Sequence, residues 1–446
     1  METVKLIIQI IAITTGSLTM LMTILLFVRL RWPAPAWWVM KLHISAWSIL
    51  FVFAGLFCLA AAWFTGSIFI CLLGIYNTLV FCTHVCLITK SPDHSTGFEQ
   101  AFGKNWEDRI DAGLKKHFLP RRMIFKLPQM PGARMEQNIS FATIRGSDRQ
   151  LLCDVWQPPY GISPSGLAFI YLHGSAWYML DKDLGTRPLF QHLAAQGHVI
   201  MDVAYRLAPE TDMAGMVGDA KRAIAWMKEN AKNYNVNPDC IVISGGSAGG
   251  HLALLAAYTT HKPELIPAEL EEKNLNVKAV VSLYGPAELE RMYYHTCQHL
   301  TTRERPDQPK KKVPTQMPAW LVKKMGKEYH RLGMDKGFEN AGSFAPLLGG
   351  HPDENPQPYA FFSPVSHVHA GCPPTLLIHG EHDVMAPVGS AHNLYSRLVH
   401  EKVPAVLHIF PQTDHAFDLI QPKLSPSAHN AFYDIERFLA LMASSK

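Results

Sequence analysis

The sequence predicts an α/β fold: a mostly parallel, eight-stranded sheet with helices on both faces, preceded by apolar transmembrane helices. Three observations predict it. Runs rich in Val, Ile and Leu alternate with helix-like segments from residue 139 onward, which is typical of a parallel sheet built from strand–helix–strand units. Residues 42–89 contain no Asp, Glu, Lys or Arg. The run 241–255 passes from a buried strand through a glycine-rich turn into a helix.

The first 90 residues are predicted to anchor the chain in a membrane. Residues 6–28, 44–64 and 68–88 are each uncharged and long enough to cross a hydrocarbon core of about 30 Å. A helix in a soluble core would not stay apolar on every face over such a length. A cleaved signal peptide is a poor alternative, because further spans follow the first apolar run. Three spans are therefore predicted, and one span followed by a re-entrant hairpin is the alternative.

The charges around these spans predict their orientation. The connection between the first two spans is basic and rich in tryptophan, with Arg29, Arg31, Lys41, Trp32, Trp37 and Trp38. By the positive-inside rule this connection lies in the cytoplasm, the N-terminus lies outside, and the chain after the third span is cytoplasmic. Asn138 begins a glycosylation sequon, which favours the opposite side but is a frequent chance triplet.

Residues 91–138 are predicted to form a basic juxtamembrane linker. Its basic side chains include Lys115, Lys116, Arg121, Arg122 and Lys126. Two interpretations stay open at this point. These side chains rest on anionic lipid headgroups, or the segment is a solvated linker.

Residues 139–446 are predicted to form one domain, which is long enough to bury a large core. The predicted strands are 139–145, 151–156, 167–172, 198–203, 240–244, 277–283, 375–379 and 406–410. The first two are expected to be an antiparallel edge pair and the others a parallel sheet. Residues 286–360 contain no clear strand and are predicted to be a cap over the functional site, or else a solvated surface excursion.

The turn at Ser247 has the pattern of a serine nucleophile. A strand at 241–244 runs into Gly-x-Ser-x-Gly and then into a helix, and such a turn holds the hydroxyl clear of the backbone. The alternative is an ordinary glycine-rich connection or a phosphate cradle. The P-loop form is excluded because no Gly-Lys-Ser/Thr follows, and the dinucleotide form lacks its acidic residue.

An acid and a histidine follow Ser247 in the order that α/β-hydrolases use. Asp383 comes just after the strand 375–379, and His415 comes just after the strand 406–410. Because the carboxyl ends of parallel strands meet at one edge of a sheet, we expect the three side chains to lie close together. The sequence therefore predicts the triad Ser247, Asp383 and His415.

Other residues near these two positions are weaker candidates. The alternative acids are Glu381, Asp414 and Asp418, and the alternative histidines are His379 and His382. Residues adjacent to a histidine on one loop rarely face its ring well enough to orient it, which favours Asp383. His379 is expected to end its strand inside the fold, and His382 is expected to be an exposed loop residue.

A second glycine-bearing turn supplies the predicted oxyanion hole. The strand 167–172 ends in His-Gly-Ser-Ala-Trp at 173–177. The backbone N–H groups of Gly174 and Ser175 are expected to join that of Ala248. One such donor is commonly worth about 10²–10³ in rate, since it binds charge that develops only in the transition state.

These motifs resemble known families. Residues 173–177 resemble the H-G-G-x-W motif of kynurenine formamidase-like and feruloyl/acetyl esterase-like α/β-hydrolases. Residues 205–210 and 245–250 resemble motifs of the hormone-sensitive-lipase and arylacetamide-deacetylase branch. The resemblance spans about residues 139–442 and implies the α/β-hydrolase fold with a cap. One position departs from it: Ser175 replaces the second glycine, so that a Cβ crowds the hole or a hydroxyl adds a donor.

The predicted function is a membrane-anchored serine hydrolase that cleaves carboxylic esters of lipophilic substrates through an acyl-enzyme on Ser247. An amidase or formamidase of the same fold is the alternative within chemistry, and an inactive membrane scaffold is the alternative outside it. No metal or organic cofactor is expected, because the histidines at 295, 299, 367 and 369 lack the partners of a zinc site. The net charge of +4 gives no reason to expect nucleic acid as a partner.

Overall fold

An eight-stranded sheet organises the chain in a computed structural model that describes residues 1–30, 35–297 and 344–445. The strands are β1 (Arg134–Thr143), β2 (Gln150–Gln157), β3 (Ala168–Leu172), β4 (Val199–Ala204), β5 (Ile241–Gly246), β6 (Ala279–Leu283), β7 (Thr375–Gly380) and β8 (Ala405–Phe410). Their order is β1-β2-β4-β3-β5-β6-β7-β8. β2 is antiparallel to both of its neighbours, and all pairs from β4 to β8 are parallel. The predicted mostly parallel sheet with an antiparallel edge pair is confirmed.

The central strands are buried along their whole length. Every residue of β3, β5, β6 and β7 is buried, as expected for parallel strands covered on both faces. The covering helices are α6 (Arg187–Ala194), α7 (Met213–Glu229), α8 (Ala248–Tyr258), α11 (Val388–His400) and α12 (Pro426–Ser444). α7, α8 and α11 pack on one face of the sheet, and α6 and α12 pack on the other.

The N-terminal part of the chain is helical. It contains α1 (Glu2–Phe27), α2 (Pro35–Ala46), α3 (Ser48–Thr65) and α4 (Ile68–Ile88). α1, α3 and α4 are long and apolar enough to cross a membrane. The stretch expected as the second span, 44–64, is divided at Trp47, because residues 44–46 belong to α2. Leu42 of α2 is buried in the same core layer as α6 and α12, and this short helix packs against α12.

The segment expected as a linker is packed structure over much of its length. It contains the short helix α5 (Phe98–Phe102) and two 3₁₀ turns. Phe98, Ile110 and Leu119 are buried in the core layer that α12 shares, and the Leu119 N–H donates to the Glu436 carboxylate at 2.9 Å. Arg122 is paired with Asp434 at 2.7 Å. Aromatic and apolar side chains between the basic ones give the segment a face to bury.

The predicted cap lies partly outside the described residues. Before residue 298 it contributes α9 (Leu289–Cys297), and after residue 343 it contributes α10 (Pro356–Phe361). Tyr293 of α9, Tyr359 of α10 and Phe344 pack together as an aromatic cluster with ring centroids 5.9–6.4 Å apart. The stems at the two ends of the insertion are therefore held to each other by aromatic packing.

Candidate active site

Ser247 occupies a strained position between β5 and α8. Its φ is +55° and its ψ is −122°, a conformation that L side chains rarely adopt. A Cβ on Gly249 would lie 2.0 Å from the Leu172 carbonyl oxygen, and one on Gly245 would lie 2.4 Å from the Gly249 carbonyl carbon. Glycine is required at both positions for β5, β3 and α8 to approach so closely. The tight turn that results presents the Ser247 hydroxyl at the carboxyl edge of the sheet.

The structure brings the three predicted triad side chains together. The Ser247 Oγ lies 2.9 Å from Nε2 of His415, and Nδ1 of His415 lies 2.8 Å from Oδ2 of Asp383. The three residues come from the start of α8, the loop after β8 and the loop after β7. His415 and Asp383 are both buried. This is a continuous hydrogen-bonded chain from a carboxylate through an imidazole to a hydroxyl.

Asp383 is held as an ionised acceptor. Its Oδ1 accepts the backbone N–H groups of Met385 at 2.8 Å and Ala386 at 2.7 Å. Burial raises the pKa of Asp383, but the rings of His415 and His379 lower it by more, so the pKa lies well below its ordinary range. The ionised Asp383 carboxylate accepts a hydrogen bond from the Nδ1–H group of His415. Nε2 of His415 is then the nitrogen that can accept a proton from Ser247.

The alternative acids face other partners. Glu381 pairs with Arg29 and accepts the Gln412 N–H, Asp414 accepts the N–H groups of Val384 and His415, and Asp418 accepts the Tyr284 hydroxyl. Among the acids weighed, Asp383 is therefore the one that bonds to the His415 ring.

The alternative histidines are both buried. His379 ends β7 inside the fold, as expected, with Nε2 2.9 Å from the Ala386 carbonyl. The expectation that His382 is exposed is wrong, because Lys41 of α2 covers it, with Nζ 3.3 Å from its Nδ1. Burial lowers the pKa of His382 to about 4.

The predicted oxyanion turn lies directly against the serine. A Cβ on Gly174 would come within 3.3 Å of the Ser247 Cβ and 3.2 Å of the Gly246 carbonyl oxygen. The Ser247 N–H itself donates to the Leu283 carbonyl at 2.9 Å. The next N–H along the chain, that of Ala248, opens α8 at its positive dipole end. The Gly174 turn thus lies beside Ser247, and the oxyanion hole formed by Gly174, Ser175 and Ala248 stays a prediction.

Comparisons with known proteins agree with this architecture. Residues 153–326 match the BD-FAE family, and residues 338–440 match the prolyl oligopeptidase family. The probable carboxylic ester hydrolase LipM of Mycobacterium tuberculosis is 31% identical over 289 residues, which is 64% of this chain and 57% of LipM. The esterase LipQ of the same organism is 28% identical over 332 residues, which is 72% of this chain and 68% of LipQ. These matches, together with the eight-stranded sheet, support an esterase family of α/β-hydrolases for this chain.

A solved structure shows the same fold. A truncated carbohydrate esterase from gut microbiota superposes with a TM-score of 0.50 at 20% sequence identity. The superposition covers 71% of this chain and 100% of that one. The whole of that truncated chain therefore corresponds to part of this fold.

Ser175, the departure from the family motif, has its hydroxyl turned into the fold. Its Oγ accepts the Trp177 N–H at 2.9 Å and lies 2.6 Å from the Tyr205 hydroxyl. Tyr205 gives its one proton to the His173 carbonyl at 2.8 Å, so Ser175 is the donor to Tyr205. These bonds brace a turn in which Ala176 and Trp177 have φ of 47° and 65°. The hydroxyl stabilises the oxyanion turn and is not a further donor to the hole.

Trp177 connects the oxyanion turn to the cap stems of this α/β-hydrolase. Its indole N–H donates to Nδ1 of His251 at 3.3 Å, and Nε2 of His251 donates to the Phe362 carbonyl at 2.7 Å. Burial lowers the pKa of His251 to about 4, so the ring is neutral, as these two bonds require. The Trp177 ring also packs on Phe344 at 5.4 Å. Sequence reasoning missed Tyr205 and His251 as members of this network, although Tyr205 begins one of the motifs that carried the resemblance.

A cavity of about 580 Å³ lies beside the catalytic loops. α9 and α10 line it, together with Ser363, Val365, Ser366 and Pro387, the last of which belongs to the loop that carries Asp383. His295 of α9 lies at this wall, with its Nε2 3.1 Å from the Asp383 carbonyl oxygen. The volume is within the range of small-molecule pockets.

Histidines that have the ligand type for a metal are engaged by the backbone. Nε2 of His367 lies 2.6 Å from the Phe361 carbonyl, and Nδ1 of His369 accepts the Gly371 N–H at 3.1 Å. In residues 1–30, 35–297 and 344–445 no group of three or more His, Cys, Asp or Glu side chains could hold a metal ion. His299 lies outside the described residues.

Proposed function

We propose that this protein is a membrane-anchored serine hydrolase that cleaves carboxylic esters of lipophilic substrates. The observation that carries the proposal is the hydrogen-bonded chain Asp383–His415–Ser247, with distances of 2.8 Å and 2.9 Å. A buried carboxylate, a histidine fixed in one tautomer and a hydroxyl on a strained turn are the parts that activate a serine.

The mechanism follows from the positions of these groups. His415 takes the Ser247 proton on Nε2 while Oγ attacks the ester carbonyl carbon. The oxyanion accepts hydrogen bonds from the N–H groups of Gly174, Ser175 and Ala248. His415 then protonates the leaving alcohol oxygen as the carbon–oxygen bond breaks, which leaves an acyl-enzyme on Ser247. Water, deprotonated by His415, attacks the acyl carbon and releases the carboxylic acid.

Two observations support a lipophilic substrate at a membrane. α1, α3 and α4 expose large apolar side chains such as Leu21, Trp63 and Leu79, which suits contact with lipid. α2 lies against the loop that carries His415, since the Trp38 indole N–H donates to the His415 carbonyl at 3.1 Å. The catalytic edge of the sheet is therefore next to the membrane helices, and an ester dissolved in the bilayer has a short path to it. The basic connection before α2 supports a cytoplasmic hydrolase.

The proposal is tested by labelling membranes with a fluorophosphonate probe, which reacts with activated serines. The wild type should be labelled, and Ser247→Ala should not be, at equal expression. Ser244→Ala is the matched control, because Ser244 is buried in β5 three residues earlier and should not react. Labelling of Ser247→Ala at the wild-type level would show that another serine is the nucleophile.

The bond type is tested with matched substrates. Esters of graded acyl length and the corresponding anilides are given to wild-type protein that has not reacted with the probe. Turnover that rises with acyl length for the esters supports the proposal. Turnover of anilides alone would replace it with an amidase, and a folded wild type that neither labels nor turns over any substrate would indicate a scaffold.

A further inference from the structure

α2 contacts both catalytic loops, and its contacts involve buried polar groups. Lys41 is 1% exposed and places Nζ 3.3 Å from Oδ2 of Asp414, the residue before the catalytic histidine. Trp38, one helical turn earlier, donates its indole N–H to the His415 carbonyl. His84 of α4 makes a third contact with this loop, with Nδ1 3.0 Å from Oε1 of Gln412. α2 and α4 therefore contact the loop that carries His415 at three residues, Gln412, Asp414 and His415.

Asp414 joins the acid loop to the base loop. Its Oδ1 accepts the Val384 N–H at 2.9 Å and the His415 N–H at 2.8 Å. Val384 directly follows Asp383, so one carboxylate fixes the backbone beside both catalytic side chains. A shift of Asp414 would change the distance between the Asp383 carboxylate and the His415 ring.

The buried charge of Asp414 depends on Lys41. Burial raises the pKa of Asp414, and Lys41 opposes that change. Burial lowers the pKa of Lys41, and Asp414 opposes that change in turn. Removing one partner of such a pair leaves an uncompensated charge inside the protein, whereas removing both charges is often tolerated.

We propose that Lys41, with Trp38, is a positioning residue for the His415–Asp383 pair, so that the membrane anchor completes the active site. The inference rests on the proposed function, because it concerns the same serine, histidine and acid. Lys41 acts through Asp414: it keeps the carboxylate ionised and in place, and the carboxylate holds the two loops in register. The anchor is then part of the catalytic apparatus as well as an attachment to the membrane.

The test measures how fast the full-length protein in membranes reacts with the fluorophosphonate probe. The rate constant of labelling reports activation of Ser247, and the fraction labelled at saturation reports how much protein is folded. Lys41→Met should lower the rate constant by about 10- to 100-fold, because ångström-scale misplacement of catalytic groups commonly costs up to about 10²-fold.

A second variant separates positioning from loss of structure. In Lys41→Met with Asp414→Asn, the amide oxygen can still accept the N–H groups of Val384 and His415 but carries no charge. This double variant should label at least about fivefold faster than Lys41→Met alone. Arg29→Gln is the matched control, because it removes an anchor cation whose ion pair with Glu381 is exposed, and it should change the rate less than about twofold.

Each outcome of this test either supports or overturns the positioning role of Lys41. Labelling of Lys41→Met at the wild-type rate, or a double variant as slow as Lys41→Met, would overturn the inference. If Lys41→Met does not fold, Trp38→Phe keeps an aromatic ring and removes the N–H. It should label at least about threefold more slowly, and a wild-type rate overturns the inference. A wild type that is not labelled contradicts the proposed function itself.

Discussion

The hydroxyls of Ser175 and Tyr205 stabilise the predicted oxyanion turn from inside the fold. These hydroxyls form a chain from the Trp177 N–H to the His173 carbonyl, under a turn with two residues at positive φ. Loss of any member of such a chain leaves buried polar groups without partners. The expected consequence is a turn that no longer holds the Gly174 N–H in place.

The first prediction concerns this chain. Ser175→Ala and Tyr205→Phe are each expected to lower kcat/KM for an ester substrate by about 5- to 30-fold, since each removes bonds that cost about 1–2 kcal/mol when broken inside a protein. The double variant should lose little more than either single variant, because the two hydroxyls act as one unit. The measurement is a double-mutant cycle on kcat/KM. Losses that multiply would show that the hydroxyls act independently.

A second residue-scale prediction concerns pH. Burial raises the pKa of Asp418 to about 6, although its hydrogen bond from Tyr284 opposes the change. A carboxyl whose pKa is higher in the folded state stabilises that state when protonated. This contribution is complete below the unfolded pKa of about 4 and is lost as the pH rises through about 6. Asp418→Asn, which can still accept the Tyr284 hydroxyl proton, should raise Tm at pH 8 and not at pH 4.

The pKa shift of Asp418 also sets the size of the expected stability change. A change of about two pKa units corresponds to about 3 kcal/mol, which is an upper value for the stability gained at pH 8. Asp239→Asn replaces an exposed carboxylate and should show no such pH dependence. An equal change of Tm at both pH values for Asp418→Asn would rule out a titrating Asp418.

At the scale of elements, α3 and α4 approach closely at two glycines. A Cβ on Gly55 would lie 2.4 Å from Oγ1 and 2.7 Å from the backbone nitrogen of Thr78. A Cβ on Gly74 would lie 2.9 Å from the backbone nitrogen of Leu59. Small residues at such contacts let apolar helices pack through their backbones, which is the main source of helix association in lipid.

The third prediction tests this contact. Gly55→Leu should separate α3 from α4 and lower the Tm of the protein in detergent by several degrees, because the backbone of Thr78 has no flexible end that could move aside. Leu56→Ala, at the adjacent exposed position, is the control and should change Tm by less than about 1 °C, as surface substitutions usually do. Equal Tm values for Gly55→Leu and the wild type would show that the helices are not held at this point.

α2 is an element that the sequence analysis did not predict. Lys41 lies beside apolar spans, and the positive-inside rule assigns such a cation to the cytoplasmic boundary. Its burial depends on Asp414, a residue far along the chain, and no local pattern reveals that pairing. A weaker signal was present, since Trp38, Lys41, Leu42 and Ser45 recur at helical spacing and form one face. The fully buried strands were predicted well, because continuous apolar runs need no distant partner to be recognised.

At the scale of the whole molecule, the three apolar helices and the basic connection predict which side of the membrane holds the hydrolase. With the N-terminus outside, the turn between α3 and α4 lies outside and the catalytic part lies in the cytoplasm. This is the fourth prediction. Ile68→Cys places a thiol at the exposed start of α4, beside that turn, and Tyr160→Cys places one at an exposed position of the hydrolase.

The two cysteine variants act as controls for each other. In intact cells a membrane-impermeant maleimide should label Ile68→Cys and leave Tyr160→Cys unlabelled until the cells are lysed. The reverse pattern would place the hydrolase outside, where the sequon at Asn138 could be used.

The sequence predicted those site residues whose positions are set by the ends of the parallel strands. Ser247, Asp383 and His415 each come just after a buried strand, and parallel strands bring such positions to one edge. The sequence could not show which way a loop side chain turns. Ser175 is the example, because its orientation depends on Tyr205, which lies beyond a separate strand.

The order in which these parts are synthesised has a consequence of its own. His415 follows Ser247 by 168 residues and Trp38 by 377 residues along the chain. At a translation rate of about 5–20 residues per second, roughly 20 to 75 s separate the emergence of Trp38 from that of His415. The N-terminal helices and the strands β1 to β8 are therefore synthesised before His415, the proposed base. Under the proposed mechanism, a growing chain cannot hydrolyse an ester before His415 has been synthesised.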